Sequence, residues 1–195
     1  MFRMVTDAAV RLVGGEGREE LEQAMLWGAY LYLATFGLFS AIFPAPYGKF
    51  TEGAGRLPLL TTLTALKLPA ALAWGLQELP AFLIPLLAVL ESGPHLRTLL
   101  LLPFLLHYFN RSIIYPLRLN PSSRPVPLLT TLAAAAFCSY NGLLQSLAVA
   151  NMATSELSAV LSLVGVVVFL AGMATNLHAD HVLRQLRGPG ETGYR

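Results

Sequence analysis

Three long stretches without a single Asp, Glu, Lys or Arg decide what this chain can fold into: residues 24–48, 125–155 and 157–179. Each exceeds the roughly 20 apolar residues that cross a bilayer core as a helix. In hydrocarbon every backbone N–H and C=O must find its partner within the protein, so runs of this kind read as spanning helices. Only 12% of the 195 residues are charged, about half the share in a soluble domain. Eight charges lie before Gln23 and five from Asp180 onward, which leaves the middle of the chain sparsely charged. The expected fold class is therefore all-α, a polytopic transmembrane bundle. A net charge of +2 provides no basic patch, so nucleic acid is excluded as a partner. Membrane lipid is the expected surrounding, and no obligate protein partner is evident.

Five spans are expected, at about 24–44, 57–90, 98–117, 126–150 and 157–177. Pro69, Pro80 and Pro85 should kink or divide the second. The organisation is an N-terminal segment, 1–23, followed by a membrane domain, 24–195. The first 22 residues lack an apolar core with a small-residue cleavage site and do not read as a cleaved signal peptide. Cys138 is the only cysteine, so neither an internal disulfide nor a Cys-based zinc site is available. Five spans put the termini on opposite sides. Lys49, Arg56, Arg118, Arg124, Arg184, Arg187 and Arg195 share the side of the C-terminal tail, against Arg3, Arg11, Arg18 and Arg97 on the other. The bias favours a cytoplasmic tail.

Charged or polar groups at membrane depth are costly and mark candidate sites. Glu78, in WGLQELPAFLIP, should be protonated or bonded to a polar group on another helix; the alternative is a structural link between helices. Lys67 is too far along to pair with it. Tyr108, Arg111, Tyr115 and Arg118 are spaced by three, four and three, which places two phenols and two guanidiniums on one helical stripe. They could line a polar cleft or form an interfacial aromatic and arginine belt. Asn141, with Gln145 four residues on, is suited to bonding a neighbouring helix. Asn176, Asp180, Arg184 and Arg187 form a further stripe where the last span leaves the membrane. An amide, a carboxylate and two guanidiniums suit a ribose and phosphates; headgroup anchoring is the other reading. His178 and Asp180 point about 200° apart on a helix, which argues against a metal cluster with His181. The glycines of VGGEGR follow no strand and are no dinucleotide fingerprint.

The segments WGLQELPAFLIP, LLHYFNRSIIYPLRL, RPVPLL, AFCSYNGLLQ and GMATNLHADHVLRQLRGPGETGYR occur in the order seen in the membrane steroid 5α-reductases, the 3-oxo-5α-steroid 4-dehydrogenases, and the chain resembles that family over about 74–195. The resemblance implies a seven-helix fold in the endoplasmic reticulum membrane. It implies NADPH-dependent reduction of the 4,5 double bond of a 3-oxo-4-ene steroid. Carried over onto this sequence, Glu78 and Tyr108 are the catalytic pair. Asn176, Asp180, Arg187, Arg124 and Arg111 are the NADPH-binding residues, and Trp74 lines the steroid cavity. Family members continue through two further helices beyond GETGYR, so the chain ending at Arg195 is expected to be C-terminally incomplete, as a fragment, a gene-model error or a shorter isoform. HYFNR has Asn110 where many relatives carry a second His. Alternatives are a related reductase of a polyprenol or enoyl lipid and an inactive truncated membrane isoform.

Overall fold

A computed structural model of the chain describes residues 2–12, 17–42, 65–93, 96–121, 123–152 and 159–185. Arg187, the APYGKFTEGAGR loop, the 57–64 start of the second expected span and the GPGETGYR end lie outside the described residues. So do Lys49, Arg56 and Arg195, on which part of the orientation argument rests.

The described chain is almost wholly helical. Helix α1 is Phe2–Leu12 and α2 is Arg18–Ile42, which carries most of the first charge-free run. A two-residue strand, β1 (Lys67–Leu68), leads into α3 (Ala70–Ser92). The next rod is composite: a 3-10 segment Leu96–Leu101, α4 (Leu102–Phe109), a π-helical turn Asn110–Ile114, and α5 (Tyr115–Leu117). Strand β2 (Val126–Pro127) precedes α6 (Leu128–Asn151), and α7 is Ala159–Gln185. Three helices, Ala70–Ser92, Leu128–Asn151 and Val160–Gln185, are long and apolar enough to cross a membrane among the described residues.

Proline does two different things in the second expected span. Pro69 divides it, capping α3 with an extended backbone while β1 lies before it. Pro80 and Pro85 sit inside an unbroken α3. Lys67 is on β1, exposed, and β1 pairs antiparallel with β2 through Lys67 with Pro127 and Leu68 with Val126. This bridge ties the starts of α3 and α6 together, so the two helices run side by side in the same direction. Gly142 sets how closely. A Cβ there would lie 3.2 Å from the Ala81 Cα and 3.3 Å from the Pro80 carbonyl oxygen, so α6 meets α3 backbone to backbone. Small residues at such contacts are how helices associate in lipid.

The third rod departs from a continuous helix. Tyr115 N–H bonds to the Asn110 carbonyl five residues back, the signature of the π turn. One extra residue in the turn rotates everything after it, so the expected single stripe of Tyr108, Arg111, Tyr115 and Arg118 is split. Tyr108 turns to α6, Arg111 and Tyr115 meet Trp74 on α3, and Arg118 is exposed.

At the opposite end of α3, Glu91 accepts hydrogen bonds from the backbone N–H groups of Phe2, at 2.7 Å, and Arg3, at 3.0 Å. A carboxylate is favoured there because the first N–H groups of a helix are unpaired and carry its positive dipole end. The Asn151 amide donates to Glu22, at 2.7 Å, and to the Arg18 carbonyl, fastening α6 to α2. Leu21, Met25, Leu144 and Leu147 complete that contact.

Candidate functional site

Four rods bring polar side chains together: Glu78 from α3, Tyr108 and Arg111 from the third rod, Cys138 and Asn141 from α6, and Asp180 from α7. The centre is Arg111 on the π turn. Its Nη2 donates to Glu78 Oε1 at 3.3 Å, and its Nη1 donates to both carboxylate oxygens of Asp180, at 3.1 and 3.4 Å. The Arg111, Glu78 and Asp180 side chains are only 12%, 13% and 11% exposed, so this is a largely desolvated ion triad spanning α3, the third rod and α7. The guanidinium plane is also stacked. Its carbon lies 4.5 Å from the Trp74 ring centre and 4.9 Å from that of Tyr115. The two rings meet edge-on at 5.2 Å. A planar, weakly hydrated cation with a rigid fork of donors is the one side chain that can satisfy two carboxylates at its edge and two aromatic rings at its faces.

The second cluster adjoins the first. Asn141 Nδ2 on α6 donates to Tyr108 Oη at 3.1 Å. One turn earlier, Cys138 Sγ lies 3.7 Å from Glu78 Oε2. Thus Glu78 and Tyr108 are backed by adjacent positions on a single face of α6. The phenol is held by Asn141, while Glu78 is taken by Arg111 and Cys138. Tyr108 is flanked by the rings of Phe104, at 4.6 Å, and His107, at 5.1 Å; His107 also faces Phe169 of α7.

On α7, Asn176, Asp180 and Arg184 lie four residues apart along one continuous helix. Asp180 is buried, and Arg184 turns back so that Nε donates to the Asp180 main-chain carbonyl at 3.2 Å. His178 and His181 are exposed, whereas Asp180 between them is buried. Asn176 Oδ1 is buried and has no hydrogen-bond partner among the described residues. A buried acceptor left open is costly unless something donates to it. The residues therefore fit a ligand with amide N–H or hydroxyl donors, as a dinucleotide has. Arg124 is exposed on the connection before β2 and stands outside the triad.

Sequence reasoning singled out Glu78, Tyr108, Arg111, Asn176, Asp180 and Trp74, and these lie on the three rods that meet here. It did not foresee that Asn141 would hold the phenol or that Cys138 would touch Glu78. For Asn141 the signal was present, a primary amide in mid-span. For Cys138 there was none, because a thiol in an apolar run reads as a small hydrophobe.

Residues 124–195 match the family described as 3-oxo-5-alpha-steroid 4-dehydrogenase. The chain is 35% identical over 190 residues to 3-oxo-5-alpha-steroid 4-dehydrogenase 1 of Mus musculus, an alignment covering 90% of this chain and 70% of the mouse protein. It is 40% identical over 161 residues to the Bos taurus protein of the same name, covering 77% of this chain and 59% of the relative. With Homo sapiens 3-oxo-5-alpha-steroid 4-dehydrogenase 2 the identity is 40% over 160 residues, covering 78% of this chain and again 59% of the relative. The chain thus spans about three fifths of the length of these last two. With its apolar spans, its ion triad and this identity along most of its length, the chain belongs to the 3-oxo-5-alpha-steroid 4-dehydrogenase family of membrane proteins.

Proposed function

We propose that the chain forms part of a membrane reductase that saturates the 4,5 double bond of a 3-oxo-4-ene steroid, with NADPH as cofactor. The observation that carries this reading is the meeting of Glu78, Tyr108, Arg111 and Asp180 from three rods inside an apolar bundle, with Asn176, one turn before Asp180 on α7, offering an acceptor that no described residue fills. Its relatives' names supply the substrate class.

Bound NADPH would supply a hydride for the β-carbon of the enone. As that carbon gains the hydride, the double-bond electron pair shifts and negative charge builds on the 3-keto oxygen, and the α-carbon then takes a proton from solvent to complete the saturated ketone. The Tyr108 phenol donates a hydrogen bond to that oxygen, where a donor in a water-poor site is most effective. Glu78, fixed by Arg111 and backed by Cys138, holds its charge in one place, so little reorganisation is needed when charge moves nearby. Asn176 and Asp180 bind the hydroxyl and amide groups of the cofactor. Arg111, Arg124 and Arg187 provide positive charge toward its phosphates, Arg111 also orienting Asp180. Trp74, stacked on Arg111, forms a wall for the steroid rings. The protein works as a multi-pass protein of the endoplasmic reticulum membrane, with the end of α7 on the cytosolic side where NADPH is found.

The test uses membranes expressing the chain, supplied with NADPH and progesterone, beside membranes expressing a full-length relative. Conversion to the 4,5-saturated product is expected. Tyr108→Phe and Glu78→Gln should each lower turnover about 10²- to 10⁴-fold, the range for loss of a positioned acid or base. Unchanged turnover in both variants, or no conversion where the relative converts steroid, would overturn the reading.

A further inference from the structure

The face of α6 that packs on α3 carries more chemistry than helix packing needs. Gly142 lets α6 approach to a separation at which a Cβ would meet the α3 backbone at 3.2–3.3 Å, tighter than an ordinary contact. At that separation, Cys138 reaches Glu78 and Asn141 reaches Tyr108. Asn141 is half-buried, as is the phenol it meets. Its Nδ2 is a donor only, and at 3.1 Å it occupies a lone pair of Oη. A phenol has a single hydrogen on oxygen. With an N–H already pointing at Oη from α6, that hydrogen cannot be directed at Nδ2 and turns to an acceptor elsewhere.

We propose that Asn141 is a positioning residue for the Tyr108 phenol: it fixes Oη as an acceptor toward α6 and so directs the Tyr108 O–H away from α6, onto the carbonyl oxygen of the bound enone. The orientation of the phenol follows from the Asn141 hydrogen bond alone; only its use on an enone rests on the function proposed above. The amide matters most when the phenol shares negative charge with the carbonyl. A donor to Oη then stabilises the transition state more than the bound substrate, and its loss should appear in kcat rather than KM.

Two measurements separate the inference from the function it rests on. In the first, 3-fluorotyrosine is placed at position 108 of the full chain in lipid nanodiscs, without substrate, and its fluorine resonance is recorded. Asn141→Leu should move the resonance, Asn141→His should restore it toward the original, and Ser139→Ala on the same helix should leave it in place. Should the Leu variant fail to fold, Asn141→Asp keeps the shape and exchanges the donor for an acceptor, and should move the resonance as well. A resonance indifferent to the folded Leu or Asp variant would overturn the proposal.

In the second, with NADPH and progesterone, Asn141→Leu should lower kcat about 10- to 100-fold, the worth of a hydrogen bond to a charged group, with the steroid KM little changed. Asn141→His should recover most of the loss. In a Tyr108→Phe background, Asn141→Leu should cost nothing further, because residues acting as a unit are non-additive. An effect confined to KM, or full additivity with Tyr108→Phe, overturns the positioning role. Full turnover in Tyr108→Phe overturns the catalytic reading instead, and the fluorine measurement still decides the hydrogen bond.

Discussion

Helices α6 and α7 are both long, apolar and able to span a bilayer, yet they are built to opposite ends. In α6, 28% of the most apolar window is buried against the rest of the protein, as in α3; in α7 none of it is. Gly142 of α6 would place a Cβ against the α3 backbone, whereas a Cβ at Gly165 or Gly172 of α7 would meet no other element within 4 Å among the described residues. Leu161, Leu163, Val167 and Val168 are exposed, as a lipid-facing surface would be. Asp180, near the polar end of α7, is buried, and it is held by Arg111. The lesson is that backbone fit holds α6 in place, whereas charge recruits α7 at one end, with a lighter aromatic contact between Phe169 and His107 above.

The sharpest way to break this comparison is to remove the charge that recruits α7. Arg111→Met leaves Glu78 and Asp180 facing each other without a cation. Breaking a buried pair costs about 3–5 kcal/mol, because the stranded charge is poorly solvated. A large fall in the melting temperature of the detergent-solubilised protein is expected, with Lys67→Met, at an exposed site, as the control. The triple variant Arg111→Met, Glu78→Gln, Asp180→Asn should regain most of the stability but not the activity, since no charge is then stranded. If Arg111→Met melts like the parent, the triad does not hold α7.

Next in size is the backbone fit of α6. Gly142→Val forces a branched side chain against Ala81, Pro80 and Pro85. Overpacking of this kind costs about 1–3 kcal/mol. The helices must also separate, which lengthens the Asn141–Tyr108 and Cys138–Glu78 contacts, so turnover should fall further than stability alone explains. A variant with lowered melting temperature and undiminished turnover would show that close approach serves packing only.

The same contrast explains what the sequence could disclose. Helix α7 was legible because a charge-free run ending in polar groups at four-residue spacing leaves little choice of helix or face. Glu78 was legible as a carboxyl needing a partner on another helix. Its partner was not, because Arg111 lies 33 residues away and Asp180 lies 69 beyond that, and nothing local pairs them. The π turn was the main obstacle: regular spacing joined Tyr108, Arg111, Tyr115 and Arg118 into one stripe that the extra residue divides. Pro116 was the available hint. Without an N–H it cannot donate to a carbonyl of the preceding turn, which weakens the regular helix just where the register changes. The two-residue strands were invisible for another reason, since each is formed only by pairing with the other, Lys67 with Pro127 and Leu68 with Val126, far apart in the chain.

The smallest expected effect falls on the exposed side of α7 and is the most exacting check on the contrast. Gly165→Ala and Gly172→Ala each add a methyl group where nothing lies within 4 Å, so no atom has to move. Each should leave stability unchanged or raise it by up to about 1 kcal/mol, the advantage of Ala over Gly inside a helix, and should leave turnover unchanged. The same methyl group at position 142 meets the Ala81 and Pro80 backbone at 3.2–3.3 Å. Melting curves for the three alanine variants in one lipid composition compare the two helices directly. A loss at position 165 or 172 as large as that at 142 would mean that this face of α7 is packed against protein rather than lipid, and that charge alone does not hold the helix.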